Sequence, residues 1–313
     1  KNGLILSNIK KLYFLIKSIY NLRKFFRNNK KNIIFIEGAS WIGFAYLFLI
    51  LSKNILKNTL IIYHAHNIEY EIRLKKNNFL IAFLTKIFER YVYSKSDLAT
   101  SVSKYDQKKI KNLYNLDSYI FENGVHSSRL LVEKINHRIP KNFYLYSGSY
   151  LYHPNKVALD ELIKNIYPKL INKYPDLHLI VTGDGLPNRL VKNKKILNFK
   201  FLKKNHLNYL IKKAKFLILP LKKAPGTKLK IIEALLIGAQ IITTKHGTKG
   251  IEINNTKQPY VYKDYEDLFK YIDLIHKKKI ILKKIIKDNS IFYKKRFLIE
   301  NIFKKFESNY YKL

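Results

Sequence analysis

Short runs of β-branched and aromatic residues alternate with stretches of helical spacing along most of the 313-residue chain. The runs lie at residues 33–36, 59–63, 98–102, 119–121, 144–146, 177–181, 216–219 and 240–243. Strands this uniformly apolar are buried on both faces, as in parallel sheets covered by helices. The alternation therefore predicts right-handed crossovers and a doubly wound α/β architecture.

Three segments need separate treatment. Residues 4–26 space Leu12, Leu15, Ile16, Ile19, Leu22 and Phe26 as one helical face, with lysines and arginines between them. Such a basic amphipathic helix either lies on an anionic membrane or packs on its own domain. Residues 33–51 are nearly long enough to cross a bilayer, with Glu37 their only charge. Their β-branched start, the turn-forming Glu37-Gly38-Ala39-Ser40 and the helical run from Trp41 fit a buried strand, a turn and a helix better. Residues 291–313 form a last Lys- and Tyr-rich helix pattern after a long helical run from Asp264.

The length is about twice that of a usual domain, so two compact units are expected. The turn Glu122-Asn123-Gly124-Val125 and the polar break at residues 138–142 bracket the boundary. This gives an N-terminal domain over 1–125, a second domain over 126–290 and a helix over 291–313. Sixty Lys and Arg against 22 Asp and Glu leave a net charge of +38. Such an excess attracts polyanions, but abundant Lys, Asn, Ile and Tyr with little Arg is also the mark of AT-rich coding. The lysines form no single arm or patch, so charge alone names no function. The absence of cysteine rules out disulfides, thiolate metal sites and a cysteine nucleophile, and it suits the cytoplasm. The chain starts at Lys1, lacks methionine and shows no signal-peptide pattern, which reads as a trimmed N-terminus.

The most informative stretch runs from Leu219 to Thr244: a strand, a turn at Gly226, a helix from about Thr227, then another strand. A turn that feeds a helix start offers backbone N–H groups and the positive end of the helix dipole, which suits a diphosphate. Lys228 and Lys230 add charge there. Glu233 follows two helical turns on, where a carboxylate can accept hydrogen bonds from ribose hydroxyls.

Taken whole, the string Gly226-Thr227-Lys228-Leu229-Lys230-Ile231-Ile232-Glu233-Ala234 resembles the donor-binding segment of the GT-B glycosyltransferases, specifically family 4 (group 1). Other segments extend the resemblance over roughly residue 33 to the C-terminus. Tyr144-Leu145-Tyr146-Ser147-Gly148-Ser149 with His153-Pro154-Asn155 is similar to the opening strand and loop of the family's second domain. Val181-Thr182-Gly183-Asp184-Gly185 is similar to its second strand and glycine turn. Ser101-Val102-Ser103, Asn123-Gly124-Val125 and His64-Ala65-His66-Asn67-Ile68-Glu69 resemble segments of its first domain.

The resemblance implies two Rossmann-like domains facing a cleft and a retaining transfer from a nucleotide-diphosphate sugar, such as a UDP- or GDP-sugar. The acceptor would be a glycan or a lipid-linked molecule of envelope polysaccharide synthesis. It assigns Gly148, Gly183, Gly226, Thr227, Lys228 and Leu229 to the donor phosphates and their surroundings, and Glu233 to ribose. Phe201 and Leu202 take the base, and His66 sits near the donor sugar and acceptor. His66 and Lys228 are the catalytic candidates. No cofactor and no metal are expected, since there is no Asp-x-Asp triplet and lysine charge with the helix dipole can stabilise the leaving diphosphate. The expected location is the cytoplasm, on the inner face of the membrane, with an anionic lipid surface as a further partner and no specific nucleic acid. The returning C-terminal helix would pack on the first domain.

There are departures. Pro225 stands eight positions before Glu233, where many members carry a glutamate that contacts the sugar. Ser149 follows Gly148 where a basic residue is usual, and Asn155 sits near an expected lysine, so Lys228, with Lys230 or Lys156, must meet the phosphate charge. The family's first strand and its glycine loop have no counterpart before Ile33. A catalytically inactive scaffold and a basic nucleic-acid-binding protein therefore stay as alternatives. His64 and His66 also have the spacing of a metal pair on a strand, or of structural histidines, and Glu69 and Glu71 read as solvated helix-start carboxylates.

Overall fold

The computed structural model describes residues 2–26, 32–38, 42–75, 78–191, 193–222, 226–251, 253, 258–277 and 289–310. The chain divides into two compact units, Lys1–Glu122 and Asn123–Leu313, where the sequence placed the boundary after residue 125.

The first unit contains α1 (Asn2–Phe25), β1 (Asn32–Glu37), α2 (Ile42–Lys53), β2 (Thr59–Ala65), α3 (Glu69–Leu74), α4 (Phe79–Lys95), β3 (Leu98–Ser101), α5 (Lys104–Tyr114) and β4 (Tyr119–Ile120). Its sheet has the order β1-β2-β3-β4, and every pairing is parallel. The candidate span at residues 33–51 is the strand and helix that its β-branched start indicated. Among the described residues no helix is long and apolar enough to cross a membrane. Ser103 caps α5 by accepting from the Asp106 N–H at 3.1 Å, and Asn115 ends that helix in the left-handed region.

On α1 the expected apolar face divides. Ile19 is 1% exposed, and Leu15, Leu22 and Phe26 are partly covered, whereas Leu12 and Ile16 face outward. α1 packs against α2. Arg27 lies outside the described residues.

The second unit contains β5 (Phe143–Ser147), α6 (His153–Glu161), α7 (Tyr167–Lys173), β6 (His178–Thr182), β7 (Ile196–Phe199), α8 (Lys204–Lys213), β8 (Leu217–Leu219), α9 (Leu229–Ile237), β9 (Ile241–Thr244), β10 (Tyr260–Tyr262) and α10 (Tyr265–Lys277). One π-helical turn, Leu162–Ile166, joins α6 to α7. Six parallel strands lie in the order β10-β9-β8-β5-β6-β7. Sequence reading missed β7 and β10, both short and flanked by polar residues. The core is the two-sided burial of this sheet, with Tyr144, Leu145, Leu179, Ile180, Ile218 and Ile241 wholly inside. A buried leucine or isoleucine contributes roughly 1.5–3 kcal/mol relative to exposure.

Chain direction across this sheet reverses at β5: β6 and β7 lie on one side, β8 and β9 on the other. A doubly wound sheet opens a crevice beyond the carboxyl ends of the strands at such a switch point. Here the crevice is bounded by Ser147-Gly148 after β5 and by Gly226–Lys228 before α9. Gly238 closes α9 at φ 83°, and the Ala239 and Gly238 N–H groups bond the Ala234 and Leu235 carbonyls at 2.9 and 3.0 Å, a Schellman arrangement. The last helices, residues 289–297 and Ile299–Tyr310, belong to the second unit, and Leu298 between them pairs with Val125.

Candidate active site

Gly148 and Gly183 close together at the ends of β5 and β6. Their φ values are 154° and 118°, and a Cβ on Gly183 would stand 2.6 Å from the Gly148 carbonyl oxygen. Glycine is required because two backbone turns meet there with no room for a side chain. The Gly148 N–H donates to Thr182 O at 2.9 Å and the Gly183 N–H to Phe199 O at 3.2 Å, which fixes both turns to the sheet.

Across the switch point, α9 begins at Leu229 with Lys228 as its N-cap and no side-chain cap hydrogen bond. Helix starts carry amide groups that the helix itself does not satisfy. Lys228 is buried, and its ammonium turns back to donate to the Gly226 carbonyl. The Thr227 hydroxyl is also buried and has no hydrogen-bond partner among the described residues. Leu229 is exposed. Pro225 lies outside the described residues.

Lys230 reaches from α9 to the other wall. Its ammonium donates to Ser147 O at 3.1 Å and to Asn155 Oδ1 at 2.9 Å, and it stands 5.4 Å from the Tyr146 ring centre. Burial, then the charge of Lys228, lowers its pKa to about 8. Asn155 in turn donates to Ser149 O at 3.0 Å. Asn155 and Lys230 thus brace the Gly148 turn where the family's basic residues are missing.

Glu233, 8% exposed, is met by two cations that sequence reading did not single out. Lys204 Nζ donates to its Oε2 at 2.6 Å, and Arg129 pairs with its Oε1 at 3.2 Å. Arg129 sits in the 3-10 turn Ser127–Leu130, which Asn208 fixes by donating to Arg129 O and Leu131 O at 2.7 and 2.8 Å. Lys204 opens α8 just after Phe201 and Leu202; the Phe201 ring is exposed, while Leu202 packs on the core. Only the scarcity of arginine could have drawn attention to Arg129, and nothing separates Lys204 from its many neighbours.

His66 belongs to the first unit, after β2. Its Nε2 lies 2.5 Å from Glu37 Oε2 at the end of β1. His64 is buried, and its Nδ1 donates to Thr100 Oγ1 at 2.8 Å, whose hydroxyl turns to Tyr63 O at 3.4 Å. Burial first, then the charge of His66, lowers the His64 pKa to about 4, so the ring is neutral near pH 7. Glu37, His64 and His66 bring their ligand atoms within 4.8 Å of one another, a two-histidine, one-carboxylate donor set.

The loop carrying His66 is held by a buried carboxylate. Glu89 accepts from the Glu69 N–H at 2.9 Å, the Tyr70 N–H at 3.1 Å and the Tyr114 hydroxyl at 2.6 Å. Burial raises its pKa to about 7, against the lowering effect of those hydrogen bonds. Neither Glu69 nor Glu71 is a solvated carboxylate: Glu69 is buried with Arg73 at 3.8 Å, and Glu71 pairs with Lys109.

Residues 141–277 match the family described as glycosyl transferases group 1. This match lies wholly within the second unit. Solved structures match over both units at low identity, which shows the fold. HepE from Anabaena, in complex with UDP and glucose, has a TM-score of 0.67 and 13% identity, covering 96% of this chain and 81% of that one. A UDP-forming trehalose-phosphate synthase from Burkholderia xenovorans gives 0.70 and 8%, covering 95% and 77%. A glycosyltransferase from Rickettsia africae gives 0.66 and 15%, covering 96% and 81%. No curated protein matches the chain. The fold is GT-B, with two Rossmann-like domains built on parallel sheets.

Proposed function

We propose that this GT-B protein is a retaining, metal-independent glycosyltransferase that moves a hexose from a UDP- or GDP-type donor to a glycan or lipid-linked acceptor of the cell envelope. The observation that carries the reading is the switch-point crevice of the second unit, where the Gly148 and Gly183 turns face the Gly226–Glu233 segment. The diphosphate takes the backbone of Gly226 and Thr227, the start of α9 and the ammonium of Lys228, with Lys230 charged behind the Gly148 turn. These groups stabilise the negative charge that grows on the departing phosphate. Glu233, oriented by Lys204 and Arg129, accepts from ribose hydroxyls; backbone near Phe201 and Leu202 takes the base.

His66, held by Glu37, is the catalytic candidate of the first domain, and the acceptor hydroxyl attacks an oxocarbenium-like centre from the face the diphosphate leaves. No cofactor enters this scheme. The protein works in the cytoplasm, peripheral to the inner face of the membrane. Transfer from labelled UDP- and GDP-sugars to lipid-linked acceptors, with the anomeric product read by NMR, tests the reading. An α-linked product from an α-donor is expected. An inverted product overturns retention, and binding without turnover assigns the chain to the inactive scaffolds.

A further inference from the structure

The first half of α4 is built inside out. Its inward positions are small or polar, Ala82 at 1% exposure and Thr85 at 5%, whereas Phe79 and Leu80 are each 71% exposed. Ile81, Phe83, Leu84 and Ile87 are exposed with them. An ordinary surface helix of a globular protein shows the reverse, with its apolar stripe toward the core. The Asn78 side chain caps this helix by accepting from the Ile81 N–H at 3.2 Å, so the outward side chains stand on a defined first turn. Six large apolar groups on two turns form a patch of the kind that marks an interaction site.

The charge around the patch indicates what covers it. α2 packs against both α1 and α4. Together the three helices carry nine Lys or Arg and one carboxylate, Glu89, which is 0% exposed and bound to backbone amides; α3, which also packs on α4, adds Glu69, buried beside Arg73, and Glu71, paired with Lys109. Lys53, Arg90 and Lys95 are exposed on α2 and α4. A second copy of the chain would bring another +38 against this face, and like charge opposes that association. An anionic bilayer supplies both an apolar interior and the opposite charge.

We propose that the first two turns of α4 insert shallowly into an anionic lipid surface, with the lysines and arginines of α1, α2 and α4 on the headgroups. The inserted stretch from Phe79 to Ile87 is about 12 Å long at 1.5 Å per residue, which suits burial in the headgroup and upper acyl region. This deepens the membrane part of the proposed function and moves the apolar contact from α1 to α4. It is independent of the donor site, which lies in the other unit.

Flotation of the full chain with vesicles of phosphatidylcholine alone, or mixed with phosphatidylglycerol, tests the proposal beside the double variant Leu80→Asp, Phe83→Asp. Both side chains point outward, so circular dichroism and melting should match the wild type. Recovery with anionic vesicles is expected to exceed that with neutral ones, to fall as salt rises, and to drop about tenfold in the double variant. A Phe83→Trp chain should lose fluorescence to brominated acyl chains beyond the background of Trp41. Equal recovery in neutral vesicles, or no effect of the double variant, overturns the proposal. Wild-type dimers that the same variant dissolves overturn it in favour of a second copy. Nucleotide titration of both proteins without vesicles separates this outcome from failure of the sugar-transfer reading, because the variant leaves that binding unchanged.

Discussion

Lys204 donates to Glu233 at 2.6 Å while Arg129 approaches the other carboxylate oxygen at 3.2 Å, so a nearly buried acid is held by cations from two other segments. This pairing orients the oxygens without using all their acceptor sites. Lys204→Met is expected to destabilise the fold by about 1–3 kcal/mol, since it leaves a buried charge short of a partner. Arg129→Ala, at a more exposed pair, should cost less than about 1 kcal/mol. Urea unfolding gives both values, and calorimetry with UDP and GDP should show weaker binding for Lys204→Met.

Gly183→Ala places a methyl 2.6 Å from a backbone carbonyl at a φ of 118°. No flexible side chain can yield there. A loss of about 1–3 kcal/mol in stability is expected, with weaker nucleotide binding because the Gly148 turn is displaced. Thermal melting and titration of the same sample check both effects.

Lys230 carries a folded-state pKa lowered to about 8 from the usual 10.5. The unfolded chain therefore binds more protons between these values, and its burial penalty is fully present below pH 8 and relieved as pH rises through 10.5. A bound diphosphate favours the charged ammonium. Nucleotide affinity should thus fall as pH rises through about 8, and Lys230→Gln should flatten that profile while retaining a donor to Ser147 O. An unchanged profile in the variant would remove Lys230 from phosphate binding.

Glu89 works in the opposite direction in the first unit. Its folded pKa is raised to about 7 from 4.5, so its contribution is fully present below pH 4.5 and is lost as pH rises through 7. His64, lowered to about 4, instead penalises the fold as pH falls below 6.5. The two partly cancel, so only difference curves reveal them. Stability of wild type minus Glu89→Gln should decline from pH 4.5 to 7 by up to about 3 kcal/mol.

Much of this was legible in the sequence. The uniformly apolar runs at 144–146, 177–181 and 216–219 became β5, β6 and β8 because two-sided burial leaves no polar positions. Ile196–Phe199 and Tyr260–Tyr262 escaped because lysines and asparagines crowd short strands nearer the edges. Gly226, Lys228 and Glu233 stood out as candidates because they share one helix start. Arg129 and Lys204 were not, since they meet Glu233 through tertiary packing, and sixty basic residues hide any two of them. The outward face of α4 went unnoticed because an apolar helical pattern looks the same whichever way it points.

On the proposed reading, the switch-point crevice of the second unit holds a nucleotide-diphosphate sugar through Glu233. Thermal-shift titration of wild type and Glu233→Ala with UDP-, GDP- and ADP-sugars tests it most directly. One donor should stabilise the wild type by about 2.7 kcal/mol at a hundredfold excess over its Kd. Glu233→Ala, still folded, should bind that donor about 1.5–3 kcal/mol more weakly. Equal stabilisation of both proteins, or of neither by any donor, would contradict the account.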